Sequence, residues 1–181
     1  MKKLSILIVT LKSREKLLYG LKRVLKNQLT SDVEVLVSCD EKEASIGTKR
    51  NSLLNSATGK YISFIDDDDL VSPFYVSKIL EAAENNPDCI GIKGIITLKG
   101  VGPRIFEHSL KNTSWFEKDN IYYRCPNHLN PIKREIALSV GFPDISNQED
   151  RAYSFNLQGK LKTETYVDMP LYYYFPSSEY E

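Results

Sequence analysis

Short apolar runs alternate with amphipathic segments through the first half of the chain, and this alternation is the strongest constraint on its fold. The runs predicted as strands are residues 4–9, 33–37, 61–65 and 89–97. The segments between them carry apolar residues at helical spacing, with polar residues on the other face. This order predicts an α/β fold with a mostly parallel sheet, right-handed crossovers and flanking helices.

The predicted helices of this half have recognisable first and last residues. Ser45 is a suitable N-cap for the second helix, and Ser72 with the proline after it suits the start of the third. Gly59 follows the second helix and is expected in the left-handed conformation that often ends a helix. The apolar positions of the first helix are Leu17, Leu18, Leu21, Val24 and Leu25.

The second half of the chain is less regular. Residues 131–140 and 149–157 are predicted helices, and residues 165–167 and 171–175 are predicted strands. Residues 105–125 are rich in aromatic residues and indicate short strands. Neither a repeat nor a linker is visible, and 181 residues is roughly the length of one domain, so we expect a single domain.

Composition and charge exclude several classes of protein. Hydrophobic residues make up 41% and charged residues 27%, which excludes a disordered or collagen-like chain. Lys plus Arg and Asp plus Glu each number 24, so a formal net charge of zero argues against a strongly basic nucleic-acid module. The cysteines, Cys39, Cys89 and Cys125, have no zinc or redox spacing and are predicted to be free thiols.

The first apolar run is too short for a membrane helix, which needs about 18 apolar residues. Basic residues, Lys12 and Arg14, follow it closely, and no signal-peptide cleavage pattern is visible. We therefore expect a cytoplasmic protein without a transmembrane segment.

Four consecutive aspartates, residues 66–69, directly follow the third predicted strand, and we call them the acidic segment. Asp40 ends the second strand in the same way, and ligands of parallel sheets bind beyond these carboxyl ends. Two like charges ~4 Å apart repel by about 1 kcal/mol in water and about 4 kcal/mol at an effective dielectric of 20. A hard divalent cation would relieve this repulsion.

The alternative is a solvated acidic turn that caps the next helix, with Asp69 in that role. If the segment is extended, Asp66 and Asp68 share one face, and Asp67 and Asp69 share the other.

Several segments, in order along the chain, resemble motifs of the family 2 glycosyltransferases, which have the GT-A fold. Residues 61–70 resemble the family's strand and Asp-x-Asp motif, and residues 46–51 with 57–62 resemble its Gly…Arg-Asn and Ala-x-Gly-x-Tyr-Ile signature. Further resembling segments are residues 35–40, 131–135, 140–144, 148–151 and 171–174.

The resemblance implies one GT-A domain over residues 1–181, with a nucleotide-binding half at 1–100 and an acceptor-side half at 101–181. It implies a metal-dependent, inverting transfer of a sugar from a nucleoside diphosphate sugar, UDP-sugar being favoured, to an acceptor hydroxyl. The implied cofactor is Mn²⁺ or Mg²⁺. The acceptor, whether glycan, lipid-linked sugar, protein or another hydroxyl, and the oligomeric state stay open.

The resemblance also implies roles for residues of the nucleotide-binding half. Asp40 would accept a hydrogen bond from a pyrimidine imide. Arg50 would pair with a carboxylate or lie against the base, unless it is a surface charge. Asp66 or Asp67 would contact the ribose, and Asp68, together with Asp66, would hold the metal on the diphosphate.

In the acceptor-side half, Asp150 is the implied general base and Glu149 the second choice. Alternatively, both acids simply favour the helix dipole at the start of the last helix. His128 and Trp115 are candidate acceptor-side residues, with a structural role as the alternative, and His108 is expected on the surface.

Two other functions stay open at this point. One is a nucleotidyltransferase, which would need a second pair of metal-binding acids. The other is a non-catalytic module that binds a nucleotide sugar without turnover. The sequence contains no Gly-x-Gly-x-x-Gly, no phosphate-binding loop and no serine nucleophile elbow, which argues against dinucleotide, P-loop and serine-hydrolase chemistry.

Overall fold

The computed structural model describes residues 2–98 and 101–175, and ten strands and five α-helices lie within them. The strands are β1 (Leu4–Leu11), β2 (Val33–Asp40), β3 (Tyr61–Phe64), β4 (Leu70–Val71), β5 (Cys89–Leu98), β6 (Val101–His108), β7 (Phe116–Lys118), β8 (Ile121–Arg124), β9 (Ile132–Lys133) and β10 (Glu164–Tyr174). The helices are α1 (Glu15–Lys26), α2 (Ile46–Ser56), α3 (Tyr75–Ala83), α4 (Arg134–Val140) and α5 (Glu149–Leu157).

The strands form one mixed sheet in the order β2-β1-β3-β9-β5-β6-β8-β7. Strands β2, β1 and β3 run parallel. Strand β9 is antiparallel to both β3 and β5, so β5 points the same way as β3. Strand β10 pairs in parallel with β5 and antiparallel with β4. The predicted α/β fold with a largely parallel central sheet and flanking helices is confirmed.

Two apolar clusters cover the two faces of the sheet. Alternate residues of β1 point to opposite faces, so Ile6 and Ile8 belong to one cluster and Leu7 to the other. Helices α1 and α3 pack on the first face, and α2, α4 and α5 pack on the second. Both faces of β1 are therefore buried, which explains its continuous apolar sequence.

The predicted helix starts agree with the structure only in part. Ser45 caps α2, because its hydroxyl accepts a hydrogen bond of 3.0 Å from the Thr48 N–H. The Ser72 hydroxyl accepts a bond of 3.2 Å from the Phe74 N–H, but Phe74 is the N-cap residue of α3 and has no side-chain cap, so the prediction that Ser72 caps this helix is wrong. The helix predicted over residues 131–140 begins later, at Arg134, because Ile132–Lys133 pair with β3 as strand β9.

Three sequence predictions are wrong for reasons of tertiary contact. The two late strands are one, β10, with register shifts around Pro170. Gly59 has no left-handed conformation; a Cβ there would lie 2.6 Å from the Ser5 backbone nitrogen, so close packing requires the glycine. His108 is buried against Phe106, with ring centroids 4.7 Å apart, and burial lowers its pKa well below its usual value.

The three cysteines are free thiols, as predicted. Within residues 2–98 and 101–175, no helix combines the length and the apolar character of a membrane span. The boundary expected between the two halves of the domain, after residue 100, adjoins residues 99–100, which lie outside the described part of the chain.

The carboxyl ends of β1, β2 and β3 lie at one edge of the sheet because these strands are parallel and adjacent. This places the residues after β1, Asp40 at the end of β2 and the acidic segment after β3 side by side. The start of α2 lies close to the loop before α5, where the Gly47 N–H donates a bond of 3.0 Å to the Ile145 carbonyl.

The close contact at Gly47 predicts a steric effect on stability. A Cβ at this position would lie 1.8 Å from the Pro143 carbonyl oxygen. We expect Gly47→Ala to lower the free energy of unfolding by at least about 2 kcal/mol, because backbone atoms cannot move aside as a side chain can. Urea denaturation measures this difference.

A matched control is Gly20→Ala in α1, where the added Cβ would meet no atom within 4 Å apart from its two chain neighbours and the backbone of its own helix. The free energy of unfolding of this variant should rise by about 0.5–1 kcal/mol, because alanine has a higher helix propensity than glycine. Equal effects of the two substitutions would contradict the predicted contact.

Candidate active site

A cavity of about 490 Å³ opens at this edge of the sheet. Residues of both halves of the chain line it, and many of them are charged. The lining acids are Asp66, Asp67, Asp68, Glu149 and Asp150, and the lining cations include Arg14, Lys49, Arg50 and Arg124. The structure therefore brings together most of the site residues that the sequence indicated.

The acidic segment is a turn and not an extended strand. The Asp69 N–H donates a bond of 3.2 Å to the Asp66 carbonyl, which closes the turn. As a result Asp66, Asp67 and Asp68 all line the cavity, and Asp69 is buried outside its lining. The predicted alternation of two acids on each face is wrong, because it required extended backbone.

Asp66 is held by two cationic or ionisable groups. Its Oδ1 lies 3.1 Å from Arg50 Nη2, and its Oδ2 lies 3.2 Å from His128 Nε2. Burial acts to raise the pKa of Asp66, but His128 and Arg50 outweigh it and hold this pKa well below the usual value. Asp66 is therefore an ionised carboxylate with both oxygens engaged.

Asp67 and Asp68 share one guanidinium. Arg14 Nη2 lies 3.1 Å from Asp67 Oδ1 and 2.7 Å from Asp68 Oδ2. The Thr10 hydroxyl donates a bond of 2.5 Å to Asp67 Oδ2. Burial raises the pKa of both carboxyls, although Arg14 opposes it. Arg14 was not among the predicted site residues, although its place just beyond a strand that ends at this edge was an available signal.

Asp69 has a structural environment. It accepts a bond of 2.7 Å from the Tyr172 hydroxyl and another of 2.7 Å from the Phe175 N–H. Burial raises the pKa of Asp69 to about 9, so this carboxyl is neutral at pH 7. Asp69 thus ties the turn to the end of β10, and the alternative that it caps α3 is wrong, because both of its hydrogen bonds go to the end of β10 and the N-cap residue of α3 is Phe74.

Arg50 lies in the interior, which excludes the alternative of a surface charge. The residue is 5% exposed, and its guanidinium lies 5.4 Å from the Phe64 ring centroid and 5.5 Å from that of Phe142. Besides Asp66, it contacts Glu149 Oε1 at 3.5 Å. Arg50 on α2 therefore links the acidic segment to the start of α5.

Asp40 lies beside the cavity without lining it. Its carboxylate accepts bonds from Lys49 Nζ at 2.6 Å and from the backbone N–H groups of Lys42 and Ala44 at 3.2 and 3.1 Å. The bond from Lys49 is the main reason that the pKa of Asp40 lies below its usual value. Lys49, which the sequence analysis did not select, lines the cavity and also donates to the Thr10 carbonyl at 3.2 Å.

Glu149 and Asp150 form the first turn of α5 but differ in their surroundings. Glu149 is 5% exposed and is paired with Arg50. Asp150 lines the cavity, and no cation of residues 2–98 or 101–175 lies within 4.0 Å of it. The preceding residue, Gln148, has φ 65° and turns the chain so that α5 begins at the cavity.

The two acceptor-side candidates lie in different places. His128 is buried and lines the cavity beside Asp66. Trp115 does not line the cavity, but its ring centroid lies 4.4 Å from the guanidinium of Arg124, and Arg124 does line the cavity. Arg124 was also missed by the sequence analysis, and its position in an irregular aromatic segment gave no signal.

The carboxylates of the acidic segment are suitable ligands for a hard divalent ion. Mg²⁺ and similar ions bind carboxylate oxygens and often take their remaining ligands from water and substrate phosphates. In the described residues, no three His, Cys, Asp or Glu side chains are grouped as a complete metal site. The residues therefore fit an ion that is shared with a diphosphate and not one that is enclosed by protein.

The buried ion pairs of Arg50 predict a loss of stability when the cation is removed. We expect Arg50→Met to lower the free energy of unfolding by about 3 kcal/mol, because Glu149 would be buried without a counter-charge. Adding Glu149→Gln should restore part of the loss. Urea denaturation of the single and double variants measures the coupling.

The control is Lys78→Met, which removes an exposed pair with Glu81. This substitution should change the free energy of unfolding by no more than about 0.5 kcal/mol. An equally small effect of Arg50→Met would contradict a structural role for the buried pair.

Comparison with known proteins adds to this geometry. Residues 38–137 match the model of the family described as Glycosyl transferase family 2. A protein of Bacillus subtilis (strain 168), named "Putative glycosyltransferase EpsH", is 24% identical over 157 residues, which cover 74% of this chain and 42% of EpsH. The family match spans more than half of the chain and includes Arg50, the acidic segment and His128.

Solved structures share the fold at low sequence identity. S. aureus TarS 1–349 in complex with UDP gives a TM-score of 0.73 at 17% identity and covers 98% of this chain and 61% of that chain. The same protein in complex with UDP-GlcNAc gives a TM-score of 0.69 at 15% identity and covers 96% of this chain and 58% of that chain. The chain spans less than two thirds of the length of these relatives. By its sequence match and its fold, the chain belongs to glycosyltransferase family 2 and has the GT-A fold.

Proposed function

We propose that this protein transfers a sugar from a nucleoside diphosphate sugar, with UDP as the favoured nucleotide, to an acceptor hydroxyl. The observation that carries the proposal is a cavity in which Asp150, a carboxylate without an ion-pair partner in residues 2–98 and 101–175, faces the same space as the acidic segment. A proton acceptor and a site for a leaving diphosphate are the two elements that such a transfer requires.

The donor is proposed from two kinds of support. TarS, which shares the fold, has been solved with UDP and with UDP-GlcNAc. In this chain, an ionised carboxylate offers about four acceptor positions, and Asp40 uses three. One position is left for the imide N–H of a pyrimidine such as uracil.

The metal is proposed to be Mn²⁺ or Mg²⁺, held by Asp68 with Asp66. When bound, the ion would act as a Lewis acid that stabilises negative charge on the leaving diphosphate. Arg14 supplies a second positive charge at this end of the cavity. Asp67 is held by Thr10 and Arg14 and orients the turn, and a contact with the ribose stays a prediction for Asp66 or Asp67.

The proposed base is Asp150. As the acceptor oxygen attacks the anomeric carbon, its proton passes to the Asp150 carboxylate, and the bond from that carbon to the diphosphate oxygen breaks with its electron pair. Direct attack opposite the leaving group would invert the anomeric configuration. Glu149 is the less suitable base because Arg50 already neutralises it.

The nucleotidyltransferase alternative is less well supported. It needs a second pair of metal-binding acids, and the acids that line the cavity beyond the acidic segment are Glu149 and Asp150. Of these, Glu149 is bound by Arg50. The one candidate for a second pair in the described residues is therefore Glu149 with Asp150, and only Asp150 of the two lacks an ion-pair partner there. A module that binds the nucleotide without turnover is separated from the enzyme by the second experiment below.

Nucleotide binding is tested by thermal unfolding. UDP at 100 times its dissociation constant adds about 2.7 kcal/mol, which raises the midpoint of a domain of this size by roughly 5–10 °C. We expect this shift with Mn²⁺ present, and Asp68→Asn should remove the part that depends on Mn²⁺.

In the same experiment, CMP and NAD should give no shift. The matched control Asp32→Asn, at an acid of the exposed pair with Lys3, should respond to UDP like the wild type. The absence of a shift with every nucleoside diphosphate would refute the proposed donor site.

The base is tested by donor hydrolysis. Asp150→Asn should release UDP from a UDP-sugar about 10²–10⁴-fold more slowly, since that range is typical for loss of general base catalysis. Its UDP-induced thermal shift should stay unchanged, because the residue is proposed to contact the acceptor and not the nucleotide.

The control Asp119→Asn removes an exposed acid of the β7–β8 turn and should leave the rate unchanged. UDP binding by the wild type without any turnover would instead favour the non-catalytic module.

A further inference from the structure

The ion pairs around the cavity leave one half-buried cation, Arg124, without a carboxylate partner among the residues that the structure describes. Arg14, Lys49 and Arg50 each have a carboxylate partner within 4.0 Å. Arg124, the last residue of β8, lines the same cavity, and no carboxylate of residues 2–98 or 101–175 lies within that distance. A guanidinium carries five N–H donors and stays charged at neutral pH, so Arg124 can bind an anion without breaking an existing pair.

Arg124 is held in place by an aromatic side chain. Its guanidinium lies 4.4 Å from the ring centroid of Trp115, and that of Arg151 lies 5.9 Å from the same indole. Arg151 is exposed and, like Arg124, has no acidic partner among the described residues. Cation–π contact orients a guanidinium and leaves its N–H groups free for a ligand. Two uncompensated charges therefore contact one indole at this side of the cavity.

These cations lie on the side of the proposed base. Arg151 directly follows Asp150 in α5. Burial lowers the pKa of Arg124, and Tyr174 and Asp150 act in the opposite direction, so Asp150 is an electrostatic neighbour of Arg124. The acceptor hydroxyl has to reach Asp150, whereas the diphosphate is proposed at the acidic segment. An anion bound by Arg124 therefore belongs more naturally to the acceptor than to the nucleotide.

We propose that Arg124, with Arg151 at the rim, binds a phosphate or carboxylate group of the acceptor, which makes the acceptor an anionic molecule. A planar guanidinium recognises either group through two parallel hydrogen bonds. Trp115 acts as a positioning residue that holds both arginines. The inference rests on the proposed function, because the acceptor is defined by its approach to Asp150.

Trp115 also provides the measurement, because it is the single tryptophan of the chain. With the donor site saturated by UDP and Mn²⁺, the protein is titrated with glycerol 1-phosphate and with glycerol as the neutral counterpart. We expect a saturable change of tryptophan fluorescence with glycerol 1-phosphate, weakened by added NaCl, and no such change with glycerol. Calorimetric titration provides a second readout that does not depend on the indole.

Variants of Arg124 and Arg151 show which residue binds glycerol 1-phosphate. Arg124→Gln should weaken glycerol 1-phosphate binding about 10- to 100-fold, the usual cost of losing a charge-assisted hydrogen bond. Arg151→Gln should weaken it by a smaller factor, because that side chain is exposed. Lys22→Gln, at an exposed lysine of α1, is the matched control and should have no effect. The UDP-induced thermal shift of Arg124→Gln should equal that of the wild type, which also shows that the variant is folded.

Three results would overturn the proposal. If glycerol 1-phosphate displaces UDP, or if Arg124→Gln weakens UDP binding itself, Arg124 belongs to the diphosphate site. If Arg124→Gln weakens binding of UDP-glucuronate and not of UDP-glucose, the anion lies on the transferred sugar. If UDP-saturated protein shows no saturable response, no anion site exists beside Asp150.

Failure of the proposed function gives a different pattern. A chain that does not bind UDP but still binds glycerol 1-phosphate through Arg124 would keep the anion site and lose the glycosyltransferase donor site.

Discussion

The ion pairs of Arg50 connect the two halves of the candidate site. Its guanidinium lies between two phenylalanine rings, contacts Asp66 at 3.1 Å and contacts Glu149 at 3.5 Å. Asp66 follows β3 and Glu149 begins α5, so one buried cation fixes the position of the acidic segment relative to the last helix. Asp150, the proposed base, is the next residue of that helix, and its distance from the proposed diphosphate site depends on this contact.

Four adjacent aspartates are compatible with a packed fold because each is compensated differently. Asp66 is ionised between Arg50 and His128, and Asp67 and Asp68 share Arg14. Asp69 is neutral at pH 7 and accepts hydrogen bonds from Tyr172 and Phe175. Among the charged groups that line the cavity, Asp150, Arg124 and the exposed Lys42 then have no ion-pair partner in the described residues. Asp150 and Arg124 are the two groups to which we assign contact with an acceptor.

Predictions from the sequence were accurate where the signal was local. Apolar periodicity gave the strands and helices of the first half, the Ser45 cap follows from its own hydroxyl, and α5 has the predicted bounds. The predictions failed where residues far apart in the chain meet. Strand β9 exists because Ile132 pairs with β3, Gly59 is required by Ser5, and His108 is buried by a strand pairing that periodicity does not reveal.

The sequence by itself determined the order of the elements, the family and the identity of most acids in the cavity, because these follow from residue type and spacing. Tertiary structure alone decided which charges are compensated. Arg14 and Arg124 lie outside the resembling motifs, and Lys49 lies inside one without being one of its named residues. Whether a carboxylate is paired, neutral or free depends on distances of a few ångströms between separate elements. Electrostatic energy falls with distance and rises with burial, and neither is encoded at a single position of the chain.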